Sequence, residues 1–443
     1  MENLSQIDIK SHLHPFTPIS EDRTPGRIVD HAEGIRIRDQ HGRTYVDAIS
    51  GLWCVNVGYG NRQIADAIQQ ASRTVSFAPT MFGASNEYAT RLADRLLRLC
   101  SGASGMRKVF FGHSGSDANE TALKLARLYF LASGQPMRTK FISCWDSYHG
   151  TTLATASLSG LPGHHRNFAL PDPSFLHVSA PDVFDALTRR GFSSEDDYVD
   201  FLVKEMEDTI IAAGGGDKVA AFFVEPLMAV GGILPPPSNY FPRIKEVLDR
   251  HDILLVIDDV VCAFGRLGHW FGWETTGVQP DMVSLAKGLT SGCVPMSATL
   301  VGERVWSVLE QHQDQIGVFG HGFTMSGHPV AAAAALANIE VIERENLLSK
   351  GKDTGNVLLY TVRNATRYIP TVVNVRGRGL LVGIELAGVQ ASEVAQKCLD
   401  LGLIVRAIVG RNTIALAPPL ITSEDDILKI VGTIRKVLVE SNI

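Results

Sequence analysis

Lys287 closes the apolar run 282–286 and is followed by Gly288. A lysine just past a buried strand is partly desolvated. That lowers its pKa and leaves some neutral amine, the form that builds a Schiff base on a carbonyl. Asp258 and Asp259 end the run 253–257. Two acids at the edge of a buried sheet are costly unless paired, and a protonated ring nitrogen would be a partner. Phe111 leads into Gly-His-Ser-Gly-Ser-Asp-Ala-Asn-Glu at 112–120 and then a helical pattern. There Gly115 permits close backbone approach, Ser116 is expected to cap the helix with its hydroxyl free to donate, and the first-turn amides suit a phosphate. Tyr148-His149-Gly150, after 141–144, offers a flat ring for stacking.

Each feature alone also reads as something ordinary: a capped turn, a strand-end cap, a solvated lysine, a packing aromatic. Together they meet the four needs of pyridoxal 5′-phosphate. The lysine takes the aldehyde, the acid keeps the pyridine nitrogen protonated, the cradle takes the phosphate and the aromatic covers a ring face.

These residues need a rigid frame. Short apolar runs at 108–111, 141–144, 219–224, 253–257, 282–285 and 298–301 read as strands. Runs that stay apolar throughout and end in acids are expected where strands are buried on both faces. Amphipathic helices are expected at 117–131, 198–213 and 242–250, completing an α/β pattern. Such sheets bind ligands at the carboxyl ends of their strands, where all four features fall. Near the N-terminus, 34–39 and 43–47 flank Gln40-His41-Gly42 as a hairpin. The segments 376–386 and 403–417 read as strands and 424–441 as a helix, with Gly214 to Gly216 a surface loop. The expected organisation is a large α/β domain over 61–329 and a smaller α+β domain built from both chain ends, 1–60 and 330–443.

Length and composition limit what else the chain does. At 443 residues, 45% hydrophobic and 20% charged, it is a globular chain of two or three domains. A net charge of −6 gives no basic field for nucleic acid. The longest apolar run, 330–336, is far short of a membrane span, and the start MENLSQIDIK lacks a signal-peptide pattern. Six cysteines without CxxC or framework spacing read as reduced thiols of a cytoplasmic protein. Fourteen histidines show no HExxH and no paired metal spacing, so no metal is expected. The turn at 112–116 is not the GxSxG of a hydrolase, because Ser116 stands where the last glycine belongs.

The motifs, in their order, resemble the class III (omega) aminotransferases of the fold type I pyridoxal-phosphate enzymes. The likeness runs from about residue 14 to 440. It is densest in IDDVVCAFGRLG (257–268), with Lys287 following Asp258 by 29 residues, and continues in SGSDANET (114–121), YHG (148–150), EP (225–226), AKGL (286–289) and GFTMSGHP (322–329). It implies a large mixed, mostly parallel sheet domain with the smaller α+β domain beside it. Lys287 would be Schiff-base lysine and general base, with Asp258 on the pyridinium nitrogen and Val260 on the ring face opposite Tyr148. Gly115 and Ser116 would hold the phosphate, and Thr324 would reach the phosphate of a neighbouring subunit. His149, Glu225 and Phe323 complete the implied cofactor site.

The run GLWCVNVGYG (51–60) is similar to that of the amine and omega-amino acid:pyruvate subgroup. That resemblance makes Trp53, Phe82 and Tyr148 substrate-pocket walls, Phe82 across a dimer interface. Arg406 matches the family's mobile arginine, which grips a keto-acid carboxylate, with Arg411 as its competitor. The implied enzyme is a homodimer with shared active sites, or a tetramer of such dimers. It moves an amino group from an amine or omega-amino acid to pyruvate by a ping-pong route through a Lys287 aldimine. An aminomutase or decarboxylase on the same scaffold is the rival, separated by whether an acceptor is required. Asp259, Cys262 and Met325 depart from the family's usual Glu, Thr or His, and Tyr.

Overall fold

The computed structural model describes residues 3–20, 26–100 and 105–441. Its strands, in chain order, are β1 (Val29–Glu33), β2 (Arg36–Asp39), β3 (Thr44–Asp47), β4 (Met106–Gly112), β5 (Lys140–Cys144), β6 (Phe175–Val178), β7 (Val219–Val224), β8 (Leu254–Asp258), β9 (Met282–Leu285), β10 (Ser297–Gly302), β11 (Val372–Arg378), β12 (Leu381–Leu386), β13 (Leu403–Ile404), β14 (Arg406–Ile408) and β15 (Thr413–Leu416).

VAAFFV in β7 and LLVID in β8 are buried at every position, so neither strand has a face for water. They sit mid-sheet, in the order β4-β10-β9-β8-β7-β5-β6. All but β10 run in one direction; β10 is antiparallel to both β4 and β9. The carboxyl ends of β4, β5, β7, β8 and β9 therefore open on one edge, which is where a doubly wound sheet binds its ligand. The helix Gly115–Ala132 packs its alanine-rich face on this sheet, with Ala118, Ala122 and Ala126 buried.

The chain ends meet. β3 takes β13 as a parallel neighbour, closing the sheet β1-β2-β3-β13, while β11-β12-β15-β14 forms a third sheet. The helix Pro329–Arg344 lies against the helices Arg62–Thr74 and Glu87–Leu99. Its buried run Ala331 to Ala335 is small enough for close helix–helix approach.

Several expectations need correction. The segments 376–386 and 403–417 are not single strands. The first folds into the β11/β12 hairpin, with Gly379 at φ 55°, and the second divides into β13, β14 and β15 around a turn ending at Asn412, φ 43°. Apolar pattern does not reveal such reversals, because it reports which residues are covered and not which way the chain runs; β12 and β15 are buried throughout, while β11 and β14 are only partly covered. β6 went unanticipated: it is four residues long and only its end residues are buried. The loop read at Gly214 to Gly216 runs at its last residue into the 3₁₀ turn Gly216–Lys218.

Candidate functional site

Asp258 is the last residue of β8 and only 4% exposed. Its Oδ1 accepts the Val260 amide at 3.1 Å; its Oδ2 accepts Asn119 Nδ2 at 2.7 Å and His149 Nδ1–H at 2.8 Å. Three donors hold one carboxylate at a fixed angle. Two of those donor side chains keep a buried polar atom without a protein partner, Asn119 Oδ1 and His149 Nε2. Buried polar atoms are rarely left so, and both residues line the same cavity as Asp258.

The glycine-serine turn is built differently from expectation. Ser114, not Ser116, caps the helix, accepting the Asp117 amide while Asp117 accepts the Ser114 amide in a reciprocal capping box. That leaves Ser116 in the first turn, its Oγ accepting the Thr151 amide at 3.1 Å with the hydroxyl proton still to donate. The first helical bond runs from the Ala118 amide to the Ser114 carbonyl, so the amides of Gly115 and Ser116 have no helical carbonyl behind them to bond. A Cβ on Gly115 would lie 3.0 Å from a Val260 methyl, so the glycine lets turn and valine close on one another.

Lys287 follows β9 at the head of the 3₁₀ turn Lys287–Thr290, with φ 35°. A non-glycine residue in the left-handed region is strained, and surrounding structure must hold it there. Asn338, from the helix Pro329–Arg344, donates to the carbonyls of Gly288 (2.8 Å) and Leu289 (3.0 Å). Asn56 packs where a Gly288 side chain would stand. Burial holds the lysine below its ordinary pKa, against the pull of Asp258 and Glu225.

Glu225, just past β7, is 5% exposed. It accepts the Tyr148 amide at 3.2 Å and the Ala229 amide at 3.0 Å. Burial, with Asp258 adding repulsion, pushes it up to about 7 despite the nearby His149. Gly115, Ser116, Tyr148, His149, Glu225, Asp258, Val260 and Lys287 all line one cavity of about 330 Å³. That lies at the small end of the usual range for ligand pockets.

The other expected residues lie apart from this cavity. Trp53 is buried in an apolar cluster that also holds Leu227, Val261 and Cys262, and does not line the cavity. Phe323 packs on His113 with rings 5.0 Å apart at the rim; Thr324 is exposed, and Phe82 fully so. Arg406 is exposed on β14, and among the described residues its side chain has no hydrogen bond or ion pair. Its competitor Arg411 is instead gripped by Asp146 and Asp182. Asp259 faces away from the cavity wall and accepts the Trp273 amide at 3.2 Å; burial pushes its pKa well up. Cys262 is buried and Met325 exposed. Sequence reasoning missed Asn119 and Asn338, two asparagines whose only signal is a polar residue on an otherwise apolar helix face. It also passed over Asp8, His12 and His14, which the structure gathers together.

A strained lysine and a buried, triply held acid facing one cavity beside a glycine cradle fit a pyridoxal-phosphate site. The orphaned Asn119 and His149 atoms add polar capacity that the protein itself does not use. The class-III aminotransferase family profile matches residues 18–438. A diaminobutyrate–2-oxoglutarate transaminase of Halomonas elongata is 39% identical over 434 residues, 95% of this chain and 91% of that one. A putrescine–pyruvate aminotransferase of Pseudomonas aeruginosa is 36% identical, covering 96% and 94%. The omega transaminase from Pseudomonas jessenii in complex with PMP superposes with a TM-score of 0.95 at 36% identity, over 100% and 98% of the two chains. The chain belongs to the class-III aminotransferase family. It is an omega-aminotransferase that uses pyridoxal phosphate, and its substrates are an amine and a keto acid. No helix among the described residues is long and apolar enough to cross a membrane.

Proposed function

We propose that this enzyme moves an amino group from an amine or omega-amino acid to pyruvate, with Lys287 as base and Asp258 as the partner of the cofactor's ring nitrogen. The observation that carries it is the pairing of Lys287 and Asp258 on one cavity at the ends of adjacent strands β9 and β8. Bound pyridoxal phosphate supplies an electron-accepting ring that stabilises charge at a carbon losing its proton. Asp258, fixed by Asn119 and His149, keeps positive charge on that ring. Lys287, its ammonium disfavoured by burial, offers Nζ as the base that takes the proton from the amine-bearing carbon. Gly115 and Ser116 would hold the phosphate, and Val260 and Tyr148, which line the same cavity, would contact the ring. Glu225 and His149 sit alongside.

Arg406, exposed and without a hydrogen bond or ion pair among the described residues, is available to grip the acceptor's carboxylate, whereas Arg411 is held by two acids. The putrescine–pyruvate relative supports pyruvate as acceptor. The proposed enzyme is a homodimer in which a second copy supplies Phe82 and Thr324, both exposed in the single chain. Exposed Phe77, Phe82, Val318 and Met325 leave apolar surface that such an interface would cover. The buried, uncrosslinked cysteines Cys144, Cys262 and Cys398 agree with a cytoplasmic setting. The division into 1–60, 61–329 and 330–443 remains part of this proposal, supported by the joining of β3 and β13.

The test is the visible absorption of the purified holoenzyme, titrated with single amines and no keto acid. Bleaching of the yellow band by a diamine or omega-amino acid, with recovery on adding pyruvate, is the expected result. Recovery with 2-oxoglutarate but not pyruvate would overturn the acceptor assignment. A band that no amine bleaches would overturn the reaction.

A further inference from the structure

The helix Leu4–Ser11 ends at His12, whose backbone turns extended at φ −115° and ψ 111°. Asp8 and His12 stand four residues apart on one helical face, and the extended turn brings His14 back beside them. His12 Nδ1 lies 3.5 Å from Asp8 Oδ1, and His14 Nε2 lies 2.9 Å from the same oxygen. The two imidazoles are 4.1 Å apart at their centroids. One ligand atom from each of the three residues falls within 4.8 Å of the others.

We propose that Asp8, His12 and His14 bind a divalent transition ion of the Zn²⁺ class. Bonds of about 2.0–2.1 Å in a tetrahedral site put ligand atoms about 3.3 Å apart, and the observed separations straddle that value. Two imidazole nitrogens with one carboxylate oxygen suit Zn²⁺, Co²⁺ or Ni²⁺, whereas Ca²⁺ and Mg²⁺ prefer all-oxygen sets. Three protein ligands leave the fourth position to water, which reaches the site because the His12 side chain is largely exposed.

The site ties the helix to the segment after it, which leads toward the cavity. Phe16 packs 5.3 Å from the His164 ring, and His164 meets Tyr148 edge-on at 5.7 Å. An ion at Asp8, His12 and His14 would steady the segment that carries this stack.

The experiment uses the holoenzyme, dialysed against a chelator and then against Zn²⁺, with metal content measured per chain. One ion per chain is expected, falling to none in His12→Ala/His14→Ala. That variant keeps its fold, since no residue of Leu4–Ser11 is buried. Bound Zn²⁺ should also slow tryptic cleavage after Lys10, which lies between two ligands, in wild type but not in the variant. Zn²⁺ retained equally by the variant would place the ion at other residues and overturn the proposal, as would a wild type that takes up none. In either case the half-reaction spectra above are unaffected, so the two proposals fail separately.

Discussion

Glu225 shows how one carboxyl carries both chemistry and a pH signature. Its folded pKa of about 7 stands above its ordinary value of 4.5. A raised folded pKa gives stability that is fully present below 4.5 and lost as pH rises through 7. Glu225→Gln removes that loss. The cofactor-free variant should match wild type at pH 4.5 and exceed it by about 3 kcal/mol at pH 8 in urea unfolding. Equal stability at both pH values would show that the carboxylate is better solvated than its burial implies. Arg406 bears on the acceptor. Arg406→Ala should raise the KM for pyruvate about tenfold or more and leave bleaching by an uncharged-tail amine unchanged. An unchanged pyruvate KM would assign the carboxylate to another group. At this scale much was legible: a lysine and an acid at the ends of apolar runs, and a glycine before a serine, declare themselves by type. Asn119 and Asn338 do not, because an asparagine inside a helix states neither its direction nor its partner.

Among elements, the strand ends and the turns after them do the positioning. β8 delivers Asp258 and β9 delivers Lys287, and the parallel ladder between them fixes their register. The turn before the helix Gly115–Ala132 is shaped by contact with Val260, and that contact can be tested. Gly115→Val should crowd the Val260 methyls and weaken pyridoxal-phosphate binding about tenfold or more, measured by absorbance titration of cofactor-free protein. Trimming the valine as well, with Val260→Ala, should restore most of the affinity, and failure to do so would place the effect elsewhere. Strand β7 was legible to the residue because VAAFFV is apolar at every position, and β9 because only Ser284 interrupts its short run and a lysine and glycine end it. The cap at Ser114 was not, since the choice between Ser114 and Ser116 rests on Asp117 completing the box three residues on. The reversals within 376–386 and 403–417 hid for a related reason: hydrophobicity records depth, not direction.

Across the whole molecule, Arg266 joins what the sequence holds far apart. It is fully buried, donating to the Pro418 carbonyl at 2.6 Å, to Asn56 Oδ1 at 2.9 Å and to Ser50 Oγ at 3.3 Å. Burial lowers its pKa to about 10. Arg266→Ala strands those acceptors in a dry interior and should cost about 3 kcal/mol or more, read as a fall in Tm, and Arg266→Lys should not rescue it. A variant as stable as wild type would mean that water replaces the guanidinium. The closing of β3 by β13 links Val46 to Leu403, 357 residues later. A ribosome adds about 5–20 residues each second, so the first three strands wait roughly 20–70 s for their fourth. Through that interval the nascent chain carries an open sheet edge. The stretch Val29–Asp47, close to the start of the chain, is therefore where a chaperone has something to hold.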